Sequence, residues 1–205
     1  MKRRQFLGLT AGTAAAPVLV GCGSDTEVTI DQSLPVGPFG AQSTAEEVTA
    51  GMDLSGKTAL VTGCNSGLGF ETMRVLALRG AHVIGTGRTL EKARVACDSV
   101  DGNTTPLALE LSDFQSAVDC ADAVAEMGEG LDMLICNAGI NTFGELELID
   151  GIEKIFVVNV LGHFVLVNRL LPVMLEQGAG RVVHVASRSA YRQAPAEGID
   201  FDNLR

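Results

Sequence analysis

Residues 57–80 read KTALVTGCNSGLGFETMRVLALRG, and the fold turns on how that stretch divides. The apolar run from Lys57 to Gly63 is short, ends in glycine and lacks polar alternation, as expected of a strand buried on both faces. Beyond it, Met73, Val75, Leu76 and Leu78 fall at mostly helical spacing, and Gly80 supplies a stop. The same alternation continues downstream. A second strand is expected over 81–87, followed by a helix through LEKARVACDSV at 90–100. A third strand is expected over 105–111, with Ser112 as the cap of a helix carrying Phe114, Val118, Ala121 and Val124. A fourth is expected over 131–139, a long helix over 152–175 and a fifth strand over 180–187. Strands separated by helices pair in parallel, because each crossover must traverse a sheet face. Right-handed crossovers then make this an α/β chain of the Rossmann type, a doubly wound parallel sheet with about five strands.

In such a sheet the turn after the first strand faces the crevice at the strands' carboxyl ends, where nucleotides bind. That turn is TGCNSGLG, Thr62 to Gly69. Gly63, Gly67 and Gly69 permit a sharp turn and a close backbone approach to a pyrophosphate, and the N-H groups opening the next helix supply donors and partial positive charge. Glycines also mark ordinary turns, so the placement between a strand and a helix carries the inference. The end of the second strand discriminates between cofactors. An acid there suits the ribose of NAD, whereas arginine suits the 2'-phosphate of NADP. The chain reads GTGRT, with Arg88 and no acid, which favours NADP over NAD; the plain alternative is a solvent-exposed arginine.

Composition narrows the function classes. A formal charge of −10 and a pI near 4.7 leave no clustered lysines and arginines for a nucleic-acid surface, so an anionic ligand must be held locally. The five cysteines contain no C-x-x-C pair and the three histidines are scattered, so no metal-ligand spacing appears. Within IFVVNVLGHFVLV at 155–167, Asn159 and His163 interrupt the apolar run, which reads as a core helix rather than a membrane span.

The first residues, MKRRQFLGLTAGTAAAPVLVGCGS, form a basic start followed by an apolar run from Phe6 to Val20. That run is about 15 residues long, whereas a spanning helix needs about 20. The layout is that of a signal peptide over residues 1–22. RRQFL resembles a twin-arginine export signal, and LVGC, ending at Cys22, resembles the lipobox at which bacterial lipoproteins are lipidated. The expectation is an exported, periplasmic or membrane-anchored lipoprotein tethered through Cys22. If the leader is not functional, it is a disordered basic tail on a cytoplasmic protein. Residues 23–52 contain no Lys or Arg but several acids among Ser, Thr, Gly and Pro, and read as a flexible acidic linker. The nucleotide-binding domain is expected over 53–205.

With the Thr62–Gly69 pattern T-G-x-x-x-G-x-G and CNAG at 136–139, the chain resembles the classical short-chain dehydrogenases/reductases. VTGCNSGLGFET, VNVLGHFVLVNRLLP and GIDFDNL resemble their retinol dehydrogenase and WW-domain oxidoreductase-like branch, over about residues 52–205. The resemblance implies that Asn137, Ala138 and Gly139 line the cofactor near its nicotinamide ribose, that Ser66 and Arg88 lie toward the adenosine 2'-phosphate, and that the Leu68 N-H meets the pyrophosphate. Glu110 stands where the family commonly has an Asp contacting adenine. Asn159 matches the family Asn that orders a water in the proton relay, its alternative being an amide satisfied in the core. Ser187 matches the Ser that bonds the substrate oxygen, with Ser189 a weaker candidate.

The family's catalytic Tyr and Lys form Y-x-x-x-K, one helical turn apart, so that the ammonium lowers the phenol's pKa. Tyr191 does not fit: Pro195 stands four residues on, and no Lys follows Lys154. The expectation is an NADP-dependent oxidoreductase of alcohols or carbonyls, its substrate small and conceivably lipophilic. The further expectation is that the 205 residues stop short of the proton donor and the C-terminal part of the fold, with little hydride transfer from them alone. A homo-oligomer is conceivable at full length. The rival readings are a nucleotide-binding or assembly module without catalysis and a non-functional gene fragment.

Overall fold

The computed structural model describes residues 37–141 and 144–187. Five strands, β1 Thr58–Val61, β2 His82–Gly87, β3 Thr104–Ala108, β4 Met133–Cys136 and β7 Arg181–His184, form one sheet. They run in the order β3-β2-β1-β4-β7 and every pairing is parallel. The order reverses between β2 and β4 around β1, which opens the crevice expected of a doubly wound fold.

The inner strands β2, β1 and β4 are largely apolar because both their faces are covered, whereas β7 at the sheet edge is exposed along its length. Ala59 and Val61 of β1, with Val83 of β2, face a core closed by Met73 and Ala77 of α2 (Gly67–Leu78) and Ala96 and Cys97 of α3 (Leu90–Asp98). Leu60, Ile84 and Leu134 face the other core, closed by Ala117, Ala121 and Val124 of α4 (Phe114–Met127) and Leu166, Leu170 and Met174 of α5 (Lys154–Glu176). Helix α5 is long and apolar enough to cross a membrane by length and composition, yet it lays a buried stripe of Val158, Leu166, Leu170 and Met174 on α4 and the sheet. Its second turn, Val157–Leu161, is a π-helix, a wider turn common at functional sites. Just before it, β5 (Leu148–Ile149) and β6 (Ile152–Glu153) form a small hairpin. Asp150 and Gly151 at its tip both take positive φ, the requirement of a tight two-residue turn.

Several local expectations change, the fourth and fifth strands among them, which are shorter than 131–139 and 180–187. The third strand ends at Ala108 rather than 111, because Leu109 to Leu111 turn away to line the crevice and the core beneath it. Asp113, not Ser112, caps α4: its carboxylate accepts from the Gln115 N-H at 2.9 Å, while the Ser112 hydroxyl donates to Glu110 at 2.7 Å. Within residues 23–52, read as a flexible linker, the stretch Ala45–Val48 forms a one-turn helix, α1, with a Thr44/Glu47 capping box. Arg74 of α2 pairs with Glu46, and Arg79 donates to the Glu46 carbonyl and to Thr49, so this end of the linker is bonded to the domain.

Candidate functional site

The glycine loop joins β1 to α2. Gly63 has φ +72, and a Cβ there would come within 3.0 Å of Ala138. A Cβ on Gly69 would lie 2.3 Å from the Gly63 carbonyl oxygen and 2.5 Å from the Asn137 amide nitrogen. Gly69 therefore lets the first turn of α2 settle against the strand end, while Gly63 lets the 137–139 segment close over it. Ser66 occupies the N-cap of α2 with extended backbone, but its hydroxyl makes no capping bond. The N-H groups of the first turn, Leu68 included, have no carbonyl one turn earlier in the helix to bond.

Behind the loop lies a buried polar pivot. Thr62, fully buried, accepts at Oγ1 from the backbone N-H of Asn137 and of Ala138, each at 2.9 Å, and its Oγ1 lies 2.9 Å from Nε2 of His163 on α5. With both lone pairs used, the Thr62 hydroxyl must donate its proton to His163. Nε2 is therefore unprotonated, and Nδ1 carries the ring hydrogen that it donates to the Asn159 carbonyl at 3.2 Å. The neutral ring suits its burial, which is the main cause holding its pKa below the ordinary value; nearby His184 acts in the same direction and the Asn159 carbonyl opposes both. Asn137 adds a side-chain bond from Nδ2 to the Thr62 carbonyl at 2.9 Å.

Asn159 sits in the π-turn, and its amide clamps the backbone of Ile140. Oδ1 accepts from the Ile140 N-H at 2.8 Å and Nδ2 donates to the Ile140 carbonyl at 2.9 Å. Thr62 and Asn159 thus hold the 137–140 segment from both sides.

Two cavities share that segment as a wall. The first, about 440 Å³, is lined by Gly63, Ser66, Arg88, Glu110 and Asn137–Gly139. The second, about 650 Å³, is lined by Asn159, His163, His184 and Ser187, together with the apolar Val160, Phe164, Val167 and Val185. The expected cofactor residues therefore gather at the first, with Gly67, Leu68 and Gly69 beside it in the first turn of α2. Asn159 and Ser187 gather at the second. Arg88 is exposed at the end of β2 and has no ion-pair partner among the described residues. Glu110 is already engaged, its Oε1 accepting from both the N-H and the hydroxyl of Ser112. Cys22, Ser189 and Tyr191 lie outside the described residues.

Residues 57–198 match the short chain dehydrogenase family. The chain belongs to that family. Among its relatives, it is 37% identical over 158 residues to the WW domain-containing oxidoreductase of Gallus gallus, a match covering 74% of this chain and 38% of that protein. It is 35% identical over 156 residues to retinol dehydrogenase 13 of Homo sapiens, covering 74% of this chain and 46% of that one. These relatives place it in the retinol dehydrogenase and WW-domain oxidoreductase branch. The chain spans less than half the length of both. Among solved structures it resembles a metagenomic short-chain oxidoreductase in complex with NADP, with a TM-score of 0.60, 26% identity, and coverage of 70% of this chain and 67% of that one.

A short-chain dehydrogenase binds NAD(P), and the first cavity fits that class of ligand. It offers the first-turn N-H groups of α2, a cradle where Gly63 and Gly69 carry no Cβ, and in Arg88 a cation with no counterion among the described residues. Three participants were not singled out in the sequence. Thr62 stood inside the glycine motif without a role, His163 served only as an interruption of an apolar run, and Lys154 was seen only as the last lysine. Lys154 lines the first cavity while its ammonium donates to Glu147 at 2.7 Å. Buried polar residues inside apolar runs are the signal that points to Thr62 and His163.

Proposed function

We propose that this chain holds NADP as part of an oxidoreductase acting on an alcohol or carbonyl compound with an apolar body. Bound NADP supplies a hydride acceptor, or in its reduced form a hydride donor, for the carbon bearing the substrate oxygen. The chain's own residues do the rest. The α2 N-terminus offers donors to the pyrophosphate, and Ser66 and Arg88 lie on the rim suited to the 2'-phosphate. Ser187, on the second cavity, is placed to hydrogen-bond a substrate oxygen, and Val160, Phe164, Val167 and Val185 offer that substrate an apolar wall. Asn159 holds Ile140 and so fixes the wall between the two cavities. Within these 205 residues no Tyr is followed four positions later by Lys, so the reading assigns the chain binding and orientation, not the whole proton relay.

The observation that carries the cofactor choice is Arg88, unpaired among the described residues, at a strand end that has no acid. Calorimetric titration of the full chain with NADPH and NADH tests it. NADPH should bind at least about tenfold tighter, and Arg88→Gln should remove most of that preference, since a charge-assisted bond contributes about 1.5–3 kcal/mol. Equal affinities for the two nucleotides would overturn the assignment. We also propose that residues 1–22 direct export and that Cys22 carries a lipid. Incorporation of labelled fatty acid in a bacterial host, abolished in Cys22→Ser, is the expected result, and an unlabelled wild-type chain refutes it.

A further inference from the structure

Two threonines stand side by side at the ends of the central strands, and their hydroxyls differ. Thr62, after β1, uses its oxygen three times, as described above. Thr86, one strand over on β2, is 1% exposed, and its Oγ1 is the single buried side-chain polar atom among the described residues with no protein partner. Its carbonyl accepts from the Cys64 N-H at 2.8 Å, and its hydroxyl is left over.

The direction of that hydroxyl follows from the pleat. A Cβ on Gly85 would meet Met73 and Cys97, on the α2/α3 side of the sheet. The next residue points to the opposite face, the side of Ile84 and of α4 and α5. There Thr86 lines the first cavity with Leu109, Leu111 and Ala138, beneath the rim that carries Ser66 and Arg88. A valine has nearly the same shape and would bury no hydroxyl. Burying one without a partner costs stability, so the group calls for an explanation within the site it faces.

We propose that Thr86 is a nucleotide-binding residue whose unspent hydrogen bond is completed by the bound dinucleotide, directly or through one ordered water. This inference rests on the cofactor reading above. It makes two expectations of opposite sign for one substitution. In the full chain, Thr86→Val should weaken NADPH binding roughly three- to tenfold, the worth of one neutral hydrogen bond. Without nucleotide, the same variant should unfold at the wild-type midpoint or a few degrees above it, because no bond is lost and an unpaired hydroxyl is removed. Thr86→Ser keeps the hydroxyl and should keep the affinity. Calorimetry with NADPH and NADH, beside thermal unfolding without nucleotide, reads all three. Wild-type affinity in Thr86→Val overturns the inference, as does a lowered midpoint of its nucleotide-free form, which would show that the hydroxyl already has a partner in the free protein. If the wild-type chain binds neither nucleotide, the cofactor reading fails and this inference fails with it.

Discussion

Replacing Thr62 by valine tests whether the pivot behind the glycine loop holds the site together. The exchange keeps the shape of a fully buried side chain and deletes one oxygen. That oxygen serves the N-H groups of Asn137 and Ala138 and the Nε2 of His163. The Ala138 N-H and the His163 Nε2 are left unpaired at about 1–3 kcal/mol apiece, whereas the Asn137 N-H keeps its bond to the Ile135 carbonyl at 3.1 Å. Ala138 is only half-buried, which limits its share. The sum is about 2–4 kcal/mol, a large part of the 5–15 kcal/mol that holds a typical domain. At this size each kcal/mol shifts the midpoint by about 2–4 °C, so Thr62→Val should unfold roughly 10 °C below wild type. Thr62→Ser keeps the oxygen and should lose only about 1 kcal/mol for its methyl group. Urea unfolding of the full chain measures all three proteins, with His163→Phe as a second background in which the His163 share is already gone. If Thr62→Val stays within about 1 kcal/mol of wild type, the pivot is not what fixes the 137–140 segment.

Further outcomes follow from the same structure. Gly69→Ala places a methyl against the Gly63 carbonyl and the Asn137 amide, and should cost about 2–3 kcal/mol in thermal unfolding. Gly67→Ala meets no atom within 4 Å and should cost only the left-handed backbone penalty of about 1–2 kcal/mol; equal losses would contradict the packing role of Gly69. The His163 pKa is depressed in the folded protein, so the unfolded chain takes up the proton first. Its contribution to stability is present above the unfolded pKa of about 6.5 and is lost as pH falls below it; unfolding free energies from pH 7.5 to 5.5 should drop less steeply in His163→Phe than in wild type. Burial pushes the thiols of Cys64, Cys120 and Cys136 up to about 12 and also raises Cys97. A thiol reagent on the native full chain should therefore find these four unreactive, and count them only after denaturation.

Much of the site was legible because it is carried by local signals. The glycine trio lies between a strand and a helix, and Arg88 ends the next strand, so chain order alone brings them to one crevice. Glu110 was legible as a position but not as a state, since its carboxylate is already bonded to Ser112 in the turn before α4. Asn159 was legible as a candidate, whereas its clamp on Ile140 was not: the bond spans 19 residues and depends on a π-turn that no periodicity announces. The docking of α1 was hidden for a similar reason. The acids of residues 23–52 read as solvated charge, and only the placement of Arg74 and Arg79 on the outer side of α2 gives Glu46 its partners.

The sequence by itself determined the order of strands and helices, the parallel sheet and the position of the phosphate loop. Unbroken apolar runs in the strands, a 3.6-residue period in the helices and glycine at tight turns are properties of neighbouring residues. Only the tertiary structure decided which buried hydroxyl is saturated and which is left over. Thr62 meets His163 across 101 positions of chain, and the Thr86 hydroxyl, on the neighbouring strand, has no hydrogen-bond partner among the described residues. Hydrogen bonds between distant elements depend on where the packed cores set each helix over the sheet, and that registry is a property of the assembled layers rather than of any window of sequence.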